Sequence, residues 1–330
     1  MRNFLRSYPS EAKLLVVLLI LCTGLAIAAP EFLTLVNLTS LLNNNSVNVI
    51  WAVGLLVVLI AGGIDISFAV AASVVQYICV YVFAAIGGGN WAIGLIVAGG
   101  LGMSLGLINA FLIHQFRIIS IVVTISTFNA FFGLLMFITS GKFLYNLPSW
   151  WSKAVYLWEL ETPNGWADIR LPVAAMAACM IATWALIRHT TTGRQLYAFG
   201  DNPEGARRAG INIGLMQAIA FGWCGMMAGI AGLMQANITK EVVPMALIGR
   251  ELDVLAAVVL GGARLGGGRG SVLGCFLGVA LVAVTQNGLN LLGVSPYAFK
   301  MVVGAIILLA ISTSNIDLAR LVTPRKEGRE

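Results

Sequence analysis

Charge is what this chain has least of. Of its 330 residues only 10% are Asp, Glu, Lys or Arg, against 59% hydrophobic, where a soluble domain carries about 25% charged residues. Water is therefore not its main solvent. Histidine occurs only twice, His114 and His189, each at the edge of an apolar run beside basic residues. Neither a metal triad nor a Ser-His-Asp set can readily be assembled from them. The five cysteines (Cys22, Cys79, Cys179, Cys224, Cys275) stand singly within apolar runs. Their spacing shows no disulfide framework or metal motif, and they read as small packing residues. A G-x4-G-K-[ST] phosphate loop is also missing, because "GGARLGGGRGS" has no Lys before a Ser or Thr. The chain is expected to be non-catalytic, to bind no cofactor or metal, and not to hydrolyse ATP.

What it has in quantity is long apolar runs. A bilayer crossing needs roughly 20 apolar residues. Ten runs approach that length, at about 13–29, 46–61, 66–86, 91–113, 118–139, 171–187, 213–236, 251–263, 271–292 and 297–313. The second and third are nearly fused, and the eighth is short. The expectation is an all-α polytopic membrane protein of about ten transmembrane helices, forming one membrane domain over residues 1–330. Arg2, Arg6 and "AIAAP" imitate a secretory signal, but the run from Leu14 to Ala29 is long for one, and an uncleaved first helix is expected.

The net charge of +6 reports topology rather than a nucleic-acid partner. With the N-terminus in the cytoplasm, the inner segments hold 14 of the 20 Lys and Arg; the other six are Lys142, Lys153, Arg170, Lys240, Arg250 and Lys300. That asymmetry follows the positive-inside rule and leaves both termini, with a tail at about 314–330, in the cytoplasm. The longest outer interruption, Ser140–Arg170, holds Trp150, Trp151, Trp158 and Trp166, with Trp184 just beyond. Trp and Tyr favour the membrane interface, so a short surface helix is expected there, with a sugar-stacking platform as the other reading.

The longest inner interruption, at about 188–212, contains "RQLYAFGDNPEGARRAGI" (Arg194–Ile211). Asp201 or Asn202 caps a helix, Pro203 suits its first position, and Glu204 faces the positive end of the dipole. Arg207 and Arg208 fall in the last turn, and Gly210 supplies the left-handed stop. A helix of about two turns, some 10 Å long, is too short to be stable alone. It needs a surface to lie in.

The order Glu204-x-Ala206-x3-Gly210 resembles the "EAA-x3-G" loop of ABC importer permeases, and the wider stretch is similar to the form in permeases for ribose, xylose, arabinose and related monosaccharides. Gly205 departs from the usual second Ala, at a helix cost of up to about 1 kcal/mol. Residues 248–294, from "IGRELDVLAAVVLGGARLGGGRGS" onward, resemble the same family, and the likeness covers about 35–315. It implies a bacterial inner-membrane permease without catalytic function, paired with a second copy or paralogue. Beneath it would sit ATP-binding subunits that hold Mg-ATP, and a periplasmic sugar-binding protein would deliver the cargo. The residues implied to meet the ATPase are Arg194, Tyr197, Gly200, Asn202, Glu204, Ala206, Arg207 and Gly210. A cytoplasmic glycine-rich turn (Gly261, Gly262, Arg264, Gly267, Gly268, Gly270) lies in the second stretch.

Candidates for the solute pathway are polar residues in apolar surroundings: Asn44, Asn48, Asp65, Gln235, Asn287 and Asn290, with Phe68 where the family usually has Val. Asp65 in "GGIDIS" reads either as a helix cap or as a pathway acid, and each amide equally as an interhelical bond. "LVVLIAGGIDIS" (56–67) and "LAAVVLGGARLG" (255–266) echo each other, as the repeats of transporter folds do. The cargo stays open between a ribose-like sugar and a polyol, rhamnose or autoinducer-2. A secondary carrier driven by an ion gradient is the rival of another class.

Overall fold

The computed structural model describes residues 9–295, 298, 300–302, 304 and 305. The tail at 314–330 and most of the tenth apolar run lie outside these. In chain order the helices are α1 (Pro9–Ala28), α2 (Leu35–Ile60), α3 (Phe68–Ile86), α4 (Trp91–Phe116), α5 (Ser120–Thr139), the single turn α6 (Ser149–Ser152), α7 (Leu171–His189), α8 (Thr191–Asp201), α9 (Pro203–Arg208), α10 (Ile213–Thr239), α11 (Arg250–Leu260) and α12 (Val272–Leu291). A hairpin, β1 (Tyr156–Thr162) and β2 (Gly165–Arg170), separates α6 from α7. Eight of these helices are long and apolar enough to cross a membrane, so the chain is an all-α, multi-pass membrane protein.

The eighth apolar run is not a crossing. Its helix α11 has 11 residues, about 16 Å at 1.5 Å per residue, or half of a hydrocarbon core of roughly 30 Å. The segment before it reaches the α11 start without helix, through residues 240–249.

Helix α2 is the axis of the bundle. From Val49 to Ile60 every side chain is buried, and α7, α10, α11 and α12 pack around it. It begins 11 residues before the apolar run does, because its polar first half finds partners. The Asn43 amide donates to Asp168 O at 2.8 Å, and its Oδ1 accepts from Arg170 N–H at 3.1 Å. Asn37 and Asn287 exchange two hydrogen bonds, of 3.0 and 2.9 Å.

Helices α4 and α10 meet backbone to backbone. A Cβ on Gly102 would overlap Gly225 O, one on Gly106 would overlap Phe221 O, and one on Gly229 would overlap Ala98 O. Such small-xxx-small spacing (Ala98, Gly102, Gly106 against Gly225, Gly229) is how apolar helices approach closely without a hydrophobic driving force between them.

The outer interruption forms a single helical turn, α6, where a short surface helix is expected, and continues into a hairpin that was not expected. Trp158–Glu161 alternates apolar and polar side chains with a strand period, and Pro163-Asn164 forms the turn into Gly165, at φ +120°. The hairpin end is pinned by Trp151, whose Nε1 donates to Leu233 O at 2.8 Å, and by an antiparallel bridge between Leu144 and Val242.

Candidate functional site

Two Gly-Gly turns and two short helices meet at the opposite end of the bundle from the hairpin. After α2, Gly62 N–H donates to Leu59 O at 2.9 Å and Gly63 N–H to Val58 O at 3.0 Å. After α11, Gly262 N–H donates to Val259 O at 2.9 Å and Ala263 N–H to Val258 O at 3.3 Å. Gly62 and Gly262 have φ of +80° and +91°, the left-handed helix stop that a residue with a Cβ resists. The echo between 56–67 and 255–266 is thus the same helix stop made twice.

Helix α8 lies across both turns. A Cβ at Gly200 would overlap Ile60 O and sit 2.7 Å from Gly268 N, and one at Gly268 would lie 2.9 Å from Asp201 Cα. Gly268 N–H also donates to Ile60 O at 2.9 Å, and the Tyr197 hydroxyl donates to Gly270 O at 2.7 Å. Burial, opposed by the charge of Arg188, holds the Tyr197 hydroxyl above its ordinary range, so it stays a proton donor. Leu196, Phe199 and Gly200 are buried while Arg194 is exposed. The structure therefore brings Tyr197, Gly200 and the glycine-rich turn into one contact.

Helix α9 follows after one extended residue, Asn202. Asn202 caps it, its Oδ1 accepting from Gly205 N–H at 2.9 Å, and Pro203 is its first residue. Gly210 ends the turn at φ +81°, with Ile211 N–H reaching back to Ala206 O at 3.0 Å. Ala206 is buried; Asn202, Glu204, Arg207 and Gly210 are exposed. Glu204 pairs with Arg208 at 3.2 Å, an exposed i,i+4 pair that contributes little. At Gly205 an added Cβ would meet Asn202 Cγ at 3.1 Å, so the departure from Ala fits a tight cap. Of the glycine-rich turn, Gly262, Arg264 and Gly266 are exposed and Gly261 and Gly267 buried. Gly261 packs on the α12 backbone at Gly274.

The pathway candidates divide. Asp65 is 2% exposed; its Oδ1 accepts from Ser67 N–H and Ser67 Oγ, both at 2.7 Å. Asn109 donates to Ser67 Oγ at 2.8 Å, and Thr127 to Asn109 Oδ1 at 2.7 Å, so Asp65 ties the α2–α3 turn to α4 and α5. Phe68 is buried against Trp51, ring centroids 5.7 Å apart. Asn287 is spent on Asn37, and Asn44 and Asn290 are exposed.

Asn48 and Gln235 do come together, on a residue that the sequence reading placed outside the membrane. Arg250 donates to Asn48 Oδ1 at 2.8 Å and to Gln235 Oε1 at 3.2 Å, and its guanidinium lies 5.1 Å from the Trp51 ring centre. As the first residue of α11 it sits about half a bilayer from the Gly262 turn. The signal was present in "GRELD", a charge cluster ahead of a run too short to cross.

Comparison with known proteins agrees with this architecture. Residues 37–311 match the family described as "Branched-chain amino acid transport system / permease component". The chain is 32% identical to the ribose import permease protein RbsC of Escherichia coli K12, over 95% of this chain and 96% of that one. It is 31% identical to the autoinducer 2 import system permease protein LsrC of Photorhabdus luminescens, over 90% and 87% of the two chains. To the L-arabinose transport system permease protein AraH of E. coli K12 it is 32% identical, over 90% and 88%. No solved structure matches. The chain belongs to this family of membrane-embedded transport permeases.

Proposed function

We propose that this chain is the membrane-spanning subunit of a bacterial ABC importer that carries a ribose-like monosaccharide across the inner membrane. A separate ATPase binds Mg-ATP and drives it. Both termini face the cytoplasm, two permease chains (two copies, or this one with a paralogue) form the membrane unit, and a periplasmic binding protein delivers the sugar. The observation that carries this reading is the α8–α9 unit. In it α9 is short, capped and exposed on one side, and α8 is seated by backbone contact on the turns that end α2 and α11. Motion of a partner bound to α9 reaches both helices through Gly200 with no side chain in between. The relatives support the cargo: RbsC, LsrC and AraH match nearly full length and are named for ribose, autoinducer 2 and L-arabinose. Autoinducer-2 is the second reading, favoured by the LsrC match alone.

The test uses the complete importer in proteoliposomes. Glu204→Ala and Gly210→Val are expected to stay in the membrane, to lose the co-purifying ATPase and to reduce sugar uptake more than tenfold. Uptake is expected to stop on ATP depletion and to survive a protonophore. Accumulation of sugar against a gradient by the permease alone would overturn the proposal and favour a secondary carrier.

A further inference from the structure

Beside Arg250 the bundle holds a polar cavity, lined in part by the pathway candidate Asn48. It holds about 100 Å³ between α2, α11 and α12, where a single water needs about 10–15 Å³. Its polar wall is Asn45, Asn48, Arg250, Asp253 and Gln286, and the rest is valine and alanine. The level is set by Arg250, about 16 Å along α11 from the Gly262 turn. Polar groups are costly there and mark a solute route more often than a packing contact.

The hydrogen bonds show what is already used. Asn48 donates to Asn45 Oδ1 at 3.1 Å, Asn45 donates to Leu41 O at 3.0 Å, and Asn48 Oδ1 accepts from Arg250. Gln235 accepts from a second guanidinium nitrogen. A guanidinium has five N–H donors, so three remain after those two bonds. Among the described residues, the Asp253 carboxylate and the Gln286 amide make no side-chain hydrogen bond or ion pair. Arg250 and Lys300 are the cations whose charge acts on Asp253. Glu251 is occupied differently, accepting Gly249 N–H at the α11 start at 2.9 Å.

From this geometry we infer that the cavity is a binding site for the sugar itself, within the permease and halfway along its route. The inference rests on the sugar-permease reading and names where the cargo is held. Hydroxyl groups donate to Asp253 and accept from Arg250 and Gln286, while the C–H face of the ring lies on the valine and alanine wall. The Gln286 amide, one acid and the remaining guanidinium donors suit a neutral solute with many hydroxyls, since Asn45 and Asn48 are already bonded to Leu41 O, to each other and to Arg250. A free amino acid would use the arginine and the acid and leave the Gln286 amide unmatched. Bonds to Asn48 and Gln235 keep the guanidinium in place when the site empties, so release costs no rearrangement of the arginine.

The experiment is saturation-transfer NMR on the full-length permease in nanodiscs, with D-ribose, L-arabinose and L-leucine each as a separate probe. Transfer to ring protons of at least one of the two sugars is expected. It should saturate at millimolar sugar and fall at least fivefold in Asp253→Asn, Gln286→Ala or both, with melting temperatures within a few degrees of the wild type. No transfer to either sugar, transfer to L-leucine instead, or equal signals in both variants and the wild type overturns the inference. Failure of the wild-type importer to take up sugar on ATP counts separately, against the permease reading. A sugar signal that depends on Asp253 would stand beside that result.

Discussion

The turn after α2 and the turn after α11 stop their helices with the same bonds and then part company. The first is held by side chains. Ile64 N–H donates to Ser120 Oγ at 2.9 Å, Thr124 donates to Ile64 O at 3.2 Å, and Asp65 and Ser67 tie in Asn109 and Thr127. The second is held by its own backbone: Arg264 N–H to Arg269 O at 3.2 Å and Gly267 N–H to Arg264 O at 3.0 Å, with Gly267 and Gly268 at φ of +86° and +74°. One turn is an anchor bolted to α4 and α5. The other has one side-chain tie, Tyr197 to Gly270 O, and Gly200 rests against it and against the end of α2.

Substitutions that treat the two turns alike or differently sharpen that contrast. Gly200→Val is expected to have the largest effect, since its side chain would collide with both turns at once. Overpacking costs about 1–3 kcal/mol, and loss of ATPase binding and a more than tenfold fall in uptake should accompany it, measured by co-purification and flux. Ser67→Ala comes next. It takes a donor from Asp65 and an acceptor from Asn109, at about 1–3 kcal/mol for buried groups left unsatisfied. A lower melting temperature with the ATPase still bound would mark the first turn as an anchor, and loss of the ATPase would break the distinction. Gly62→Ala and Gly262→Ala place a Cβ at positive φ, at about 1–2 kcal/mol each, and equal melting shifts are expected because the two stops are the same. Tyr197→Phe is the mildest. It removes one hydrogen bond worth about 0.5–1.5 kcal/mol and touches only the second turn. Because the Tyr197 acidity is weakened in the fold, that bond persists through the neutral range, and ATPase retention by the wild type should not vary with it between about pH 6 and 9.

The sequence made most of the helices legible, because long apolar runs are a strong signal, and α9 was legible from its caps alone. Three misreadings have physical causes. The first half of α2 fell outside the apolar run because Asn37, Asn43, Asn45 and Asn48 are polar; partners of Asn37, Asn43 and Asn48 lie far along the chain, which a local reading does not see. Residues 251–263 counted as a crossing on hydropathy, which is blind to whether a run is long enough once its first turn carries Arg250 and Asp253. The tryptophan-rich segment between α5 and α7 signalled an interface, but Trp158–Glu161 alternates at the strand period, and the hairpin forms there. Of the pathway candidates, Asn48 and Gln235 share a partner, but Arg250, Asp253, Asn45 and Gln286 were not among them. Their convergence depends on three helices that no spacing rule relates.

The seam between α4 and α10 limits what can move. Two backbones in contact at Gly102, Gly106, Gly225 and Gly229 have no rotamers to exchange and no ridge to slip over. The pair must travel as one piece or stay still, so a ratchet of one past the other is forbidden. Any alternation of access has to hinge elsewhere, and each glycine there is a position at which even a methyl group would prise the molecule apart.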